Sequence, residues 1–255
     1  MLGWNIFAHS LRMVFGNLKQ VAQIVIGPAI IGTVAIIGLF MVSGIPLEAF
    51  DDNPNGLPPG VNPGALILFA FLVFVVMVLI MGWIAVAWHR YILLEEYPSG
   101  VLPTFRFDRI LAYFGRGLML GILMAIAFLP MGILTGMLGE GLIAVSIILT
   151  IGYLVFLAIC FYRLSIILPA AAIGQPITLA EAWNNTLGTA GTIVVLIVVS
   201  FLFQFLVQLA IGVLSIIPVL GVLIALFFGI LILPMINVSI LTTMYGVFIE
   251  KRELG

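Results

Sequence analysis

Residues 65–80 read ALILFAFLVFVVMVLI, sixteen positions without one polar side chain. A strand of a membrane barrel would alternate apolar and polar residues over roughly ten positions, and this stretch does not. It continues to Trp88, so Ala65–Trp88 exceeds the roughly 20 apolar residues that carry a helix across a bilayer. Backbone N–H and C=O groups in lipid must be paired within the segment, and a helix does that. The stretch therefore sets an all-α integral membrane fold.

Five further runs repeat the pattern: Val21–Val42, Gly117–Leu138, Leu142–Tyr162, Ile193–Ile217 and Leu220–Val247. Six transmembrane helices are expected, in a single membrane domain over residues 1–255. Composition agrees. The chain is 64% hydrophobic and 7% charged, with mean hydropathy +1.37, against about 25% charge in a soluble domain. Net charge −1 offers no basic surface for nucleic acid. The single cysteine, Cys160, has no disulfide partner, and His9 and His89 are too few for a His-based metal site. No cofactor or metal is expected. The first apolar run is too long for a cleavable signal and lacks a small-x-small site, so it is read as the first span.

The charges orient the spans. Arg12, Lys19, Arg90, Arg106, Arg109, Arg116, Arg163, Lys251 and Arg252 all fall at the N-terminus, the 2–3 loop, the 4–5 loop or the C-terminus. The other side holds Glu48, Asp51, Asp52 and Glu140. Lys and Arg are retained in the cytoplasm during insertion, so both termini are expected there. The outer connections are an irregular Pro/Asn/Gly-rich stretch at Ile45–Gly64, a turn at Gly139–Gly141 and another at Pro218–Gly221.

Three segments share one order: amphipathic cytoplasmic helix, span, outer turn, returning span. The amphipathic pieces are Trp4–Leu18, Thr104–Leu118 and Thr178–Leu187. Thr178 and Glu181 have capping-box spacing. Three hairpin repeats follow, about 1–97, 98–174 and 175–255. The returning span ending Trp88-His89-Arg90-Tyr91-Ile92-Leu93-Leu94, the stretch Arg163–Ala172 (RLSIILPAAA) and Leu179–Trp183 (LAEAW) resemble a loose group of bacterial six-span inner-membrane proteins. That group includes the membrane domain beside some glycerophosphodiester phosphodiesterases. The resemblance implies an inner-membrane location and a link to lipid or envelope upkeep. The phosphodiesterase barrel has no counterpart in these 255 residues, so its hydrolysis is not implied, and no functional residue transfers.

Arg90 and Arg163 occupy matching places near the cytoplasmic ends of spans 2 and 4. They are candidate anchors for lipid phosphate or another anion, or else snorkelling residues paired with Glu95, Glu96, Asp108 or Glu181. Ser200, Gln204 and Gln208 recur every four residues in span 5 as a polar stripe. It is either a solute path or a set of interhelical hydrogen bonds, with Asn237, Ser239, Thr242 and Thr243 as partners. Pro28, Pro130 and Pro234 should kink spans 1, 3 and 6. Gly117/Gly121 and Gly132/Gly136 have the spacing for close helix contact. His89 reads as an interfacial belt residue. Asn184-Asn185-Thr186 matches a glycosylation acceptor but sits on the cytoplasmic side. No Asp, Glu or Lys lies in the middle of a span, where coupled transporters usually place one. The expected role is a non-enzymatic scaffold or accessory subunit. The alternative is a transporter or lipid-handling protein with a site between the repeats. Its partners would be the bilayer and either another membrane protein or a second copy.

Overall fold

The computed structural model describes residues 1–50, 62–98, 100, 102–138, 142–215, 217 and 220–254. Asp51, Asp52, Glu140, most of the first outer loop, the Gly139–Gly141 turn and Pro218 lie outside the described residues. Every regular element among those described is helical. They are α1 (Leu2–Gly16), α2 (Leu18–Ser43), α3 (Pro63–Leu94), α4 (Phe107–Leu138), α5 (Ile143–Ser165), α6 (Ile167–Ile173), α7 (Leu179–Asn185), α8 (Ala190–Leu214), α9 (Leu220–Leu226) and α10 (Leu233–Phe248). A short 3-10 turn, Leu47–Phe50, follows α2, and a π-helical segment, Phe227–Ile232, joins α9 to α10.

Six of these helical stretches are long and apolar enough to cross a membrane. They are Leu18–Ser43, Pro63–Leu94, Phe107–Leu138, Ile143–Ile173, Ala190–Leu214 and Gly221–Phe248. Each contains the core of one expected span. The amphipathic segments fared unequally. The first is α1, which ends at Asn17 before α2 begins. The third is α7, where Thr178 Oγ1 accepts from the Glu181 N–H and the Glu181 carboxylate accepts from the Thr178 N–H. Those bonds, the backbone N–H first and then the hydroxyl, hold the Glu181 carboxyl below its usual range. The second is not a separate helix. Residues 107–118 run on as the first turns of α4, because no proline or cap interrupts the chain between Phe107 and Pro130.

Helix geometry responds to proline at unexpected places. Pro28 and Pro130 sit inside unbroken α2 and α4. The fourth span breaks at Ile166 between α5 and α6. Pro169 has no N–H to offer the Ser165 carbonyl four residues back, and this frees the turn there. Pro234 follows the π segment for the same reason, since its missing bond would close on Ile230.

Burial is uneven along the spans. In α3 the buried residues run from Gly82 to Leu93, in α5 from Leu157 to Ser165, and in α8 from Ile193 to Ser200. These stretches meet α1, α6 and α10 at one end of the bundle, which also holds the cations and is called the charged end below. Toward the far end, side chains such as Phe71, Phe74, Phe201, Phe205 and Leu206 are exposed. Lipid tails are as apolar as these residues, so no hydrophobic force drives the far halves together. Helix α6 is buried at all seven positions. Its Ala170-Ala171-Ala172 run lets it wedge between α3, α4 and α10.

Candidate functional site

The charged end is built from cations placed on helix carboxyl ends. A helix leaves its last carbonyls unpaired, with partial negative charge. Arg90 sends Nη1 to Ala172 O in the last turn of α6, at 3.3 Å. Arg163 sends Nη2 to Trp183 O in α7, at 2.8 Å. Arg252 sends Nη2 to Leu93 O at the end of α3, at 3.1 Å. Lys251 donates to Phe248 O at the end of α10, and Arg116 to Ile177 O ahead of α7. Arg90 and Arg163 thus tie one helix to another.

Two of these clamps are elaborate. Glu95, left-handed at φ 54°, ends α3, and Glu96 folds back to bond the Arg90 carbonyl through its N–H. Its Oε2 then accepts from Arg90 Nε at 2.8 Å, and its Oε1 from Arg106 Nε at 3.0 Å. Burial alone would push the Glu96 carboxyl up. The hydrogen bonds and charges of Arg90 and Arg106 outweigh that and hold it below the usual carboxylate range. Arg163, 8% exposed, sits over the Trp183 ring with 3.5 Å from Cζ to the ring centroid. Its Nε also donates to Thr186 Oγ1 at 3.1 Å. Arg90 and Arg163 therefore act on different helices.

The span 5 stripe is divided by its own geometry. Four residues overshoot one helical turn, so eight residues rotate the side chain by about 80°. Ser200 is buried, Gln204 half-buried and Gln208 exposed. None bonds the expected partners in span 6. Asn237 donates to its own helix at Leu233 O, and Thr242 and Thr243 face other elements. Of the four small-residue positions, only Gly117 has a neighbour near its Cβ direction, Leu168 at 3.9 Å.

His89 is not a belt residue. It is fully buried, and Nδ1 lies 2.8 Å from Thr242 Oγ1. Thr242 donates its hydroxyl hydrogen to Val238 O, so its oxygen accepts from Nδ1–H. Nε2 is then an acceptor, and no donor meets it among the described residues. Beside this pair, Ser10 Oγ donates to Ile6 O and lies 2.9 Å from Thr243 Oγ1. A polar seam thus joins α1, α3 and α10. The sequence signal is the one-face run Gly82, Ala85, Val86, His89 and Leu93, spaced three or four residues apart around Ala85 and Val86, whose small members permit a close approach.

A cavity of about 260 Å³ lies against the seam, lined by His9, Met13, Leu93, Thr242, Thr243 and Arg252 among others. Two apolar grooves open sideways. One of about 440 Å³ lies between α3 and α4 along Gly82, Ala85, Phe114 and Gly117. The other, of about 200 Å³, lies between α2, α3 and α10 beside Gly32 and Pro234. Ser200, Gln204, Gln208 and Arg163 line none of these three. Among the described residues, no three His, Cys, Asp or Glu side chains group as metal ligands.

Six apolar spans held by an internally clamped charged end define an all-helical multi-pass membrane protein. Comparison with protein-family models, curated proteins and solved structures returns no match.

Proposed function

We propose that the chain is a non-enzymatic scaffold or accessory subunit of the bacterial inner membrane, with a lipid- or envelope-related role. One observation carries this reading. The spans pack at the charged end and leave apolar side chains exposed along their far halves, where lipid or another membrane protein's helices can lie. Arg90 and Arg163, the candidate anion anchors, are engaged in holding α6 and α7. The proposed topology puts both termini in the cytoplasm. It is supported by the placement of all nine cations at the termini and the connections on that side. The three-hairpin reading is supported by direct packing of α2 on α3, α4 on α5 and α8 on α9. The second hairpin has lost its separate amphipathic helix to α4.

A second reading, lipid handling between the helical repeats, draws on the open groove between α3 and α4. One pair of measurements decides between them. Under the scaffold reading, purified protein in liposomes moves neither lipid nor small solutes. In native membranes a photo-crosslinker at exposed Phe205 captures a second polypeptide. Protein-dependent flux of either kind, without crosslinks, overturns the scaffold reading.

A further inference from the structure

We propose that the cavity of about 260 Å³ beside the polar seam binds a small neutral molecule through its hydroxyl groups, with residues 249–254 as its cover. The proposal does not depend on the scaffold role.

Two adjacent residues of α10 set the polar chemistry of the cavity. Thr242 and Thr243 both line it, 1% and 5% exposed. Each hydroxyl has one hydrogen and two lone pairs. Thr242 gives its hydrogen to Val238 O and accepts from His89 Nδ1–H. Ser10 gives its hydrogen to Ile6 O, so the 2.9 Å contact between Ser10 and Thr243 uses the hydrogen of Thr243. Both threonine hydrogens are therefore spent inside the protein. Thr243 keeps two lone pairs and Thr242 one, and no further donor among the described residues meets them. A wall that only accepts calls for a ligand that donates.

Charge and volume narrow the class. Arg252 and Glu253 line the cavity with opposite signs, so its formal charges cancel. Arg252 is also answered by Glu250 at 2.6 Å. An ion of either sign would lose hydration there without a net countercharge. An amide would bring a carbonyl that needs a donor, and the threonines have none to give. A hydroxyl is satisfied by donating. Met13, Leu93, Val247 and Leu254 add apolar wall. Ligand pockets usually run from about 300 Å³ upward, so the occupant is small. An alcohol on a compact apolar body meets all these conditions. A free alcohol and the glycerol end of a lipid share that chemistry.

The segment after α10 is built to lift. Lys251 turns it at φ 58°, a left-handed conformation that is costly for a side chain with a Cβ. Three contacts hold the turn down. Arg252 N–H donates to Gly246 O at 2.9 Å, Arg252 Nη2 donates to Leu93 O at 3.1 Å, and half-buried Leu254 packs on the core. Residues 250–253 read EKRE, so the lifted segment is readily solvated. Its lifting opens the cavity, and a ligand touching Arg252 and Leu254 holds it closed.

Hydrogen exchange on the full chain in detergent micelles tests the proposal, with 1,2-hexanediol as the probe and its dimethyl ether as the matched molecule lacking donors. The diol should slow exchange at residues 250–254 by at least about threefold, and the ether should not. Monooleoylglycerol, added to the micelles in a parallel arm, reports the lipid source: protection by it alone supports the site with a lipid occupant. Gly246→Leu fills the cavity and should abolish protection. Thr243→Val keeps the shape, leaves Ser10 bonded to Ile6 O, and should remove most of it. It decides the matter if Gly246→Leu loses the protection of α10 itself. Equal protection by diol and ether overturns hydroxyl recognition. Protection that survives in both variants places the ligand elsewhere and overturns the site. No protection by the diol or by monooleoylglycerol overturns the proposal outright.

Discussion

Helix α7 has seven residues, too few to persist alone in water. One of them, Ala182, is buried, so its docking relies on the Arg163 guanidinium. Arg163→Met keeps the apolar stem and removes the charged head. The lost bond to Trp183 O has a charged donor, which contributes about 1.5–3 kcal/mol. The lost stacking on Trp183 contributes about 2 kcal/mol where water is excluded. Thr186 Oγ1 keeps its own bond to Ala182 O, so its side of the contact is not orphaned. One group makes all these contacts, so they do not add fully. A local loss of about 2–4 kcal/mol is expected, or roughly 30- to 1000-fold faster opening of α7. Hydrogen exchange in detergent micelles should show that increase at residues 179–185, with α1 unchanged. Arg163→Lys, which keeps charge without the planar fork, should fall between. If α7 in Arg163→Met exchanges within about threefold of wild type, the clamp reasoning fails. Packing of Ala182 and Trp183 would then hold the helix.

Gly174 ends α6 at φ +84°, and a Cβ there would approach Arg109 Nη1 to 2.6 Å. Gly174→Ala should cost about 1–3 kcal/mol of stability through strain and so lower the unfolding midpoint, and an unchanged midpoint in a denaturant titration would refute it. Glu96 titrates below its ordinary value of about 4.5 because of Arg90 and Arg106. Its contribution should be complete above that pH and decline as pH falls below it, where the unfolded chain takes up the proton first. Glu96→Gln should flatten that part of the stability curve, and an unaltered acid limb would count against the bridge.

Some features were legible because they depend on neighbours along the chain. The Thr178–Glu181 cap formed as its spacing required, since all its atoms lie within one turn. The break at Ile166 is equally local, but Pro169 is its single mark in the sequence. Pro169 sits where two helices share one apolar run, so hydropathy passes through the break without a dip. The amphipathic pattern at Thr104–Leu118 was real but carried no stop signal, so α4 simply continued through it. The adjacency of His89 to Arg90 implies an interface only if both side chains face the same way. Successive helical residues point about one hundred degrees apart, which sends His89 into the core and Arg90 to the charged end.

The sequence by itself determined the class of protein and its six spans. Hydropathy is a property of each segment summed along its own length, and lipid selects helices whatever lies beside them. Only the tertiary structure decided which polar groups meet. Arg90 reaches a carbonyl 82 residues away, His89 a hydroxyl 153 away and Ser10 one 233 away. Such pairings depend on which helix faces come together, and nearly uniform apolar helices leave those faces unmarked in the sequence.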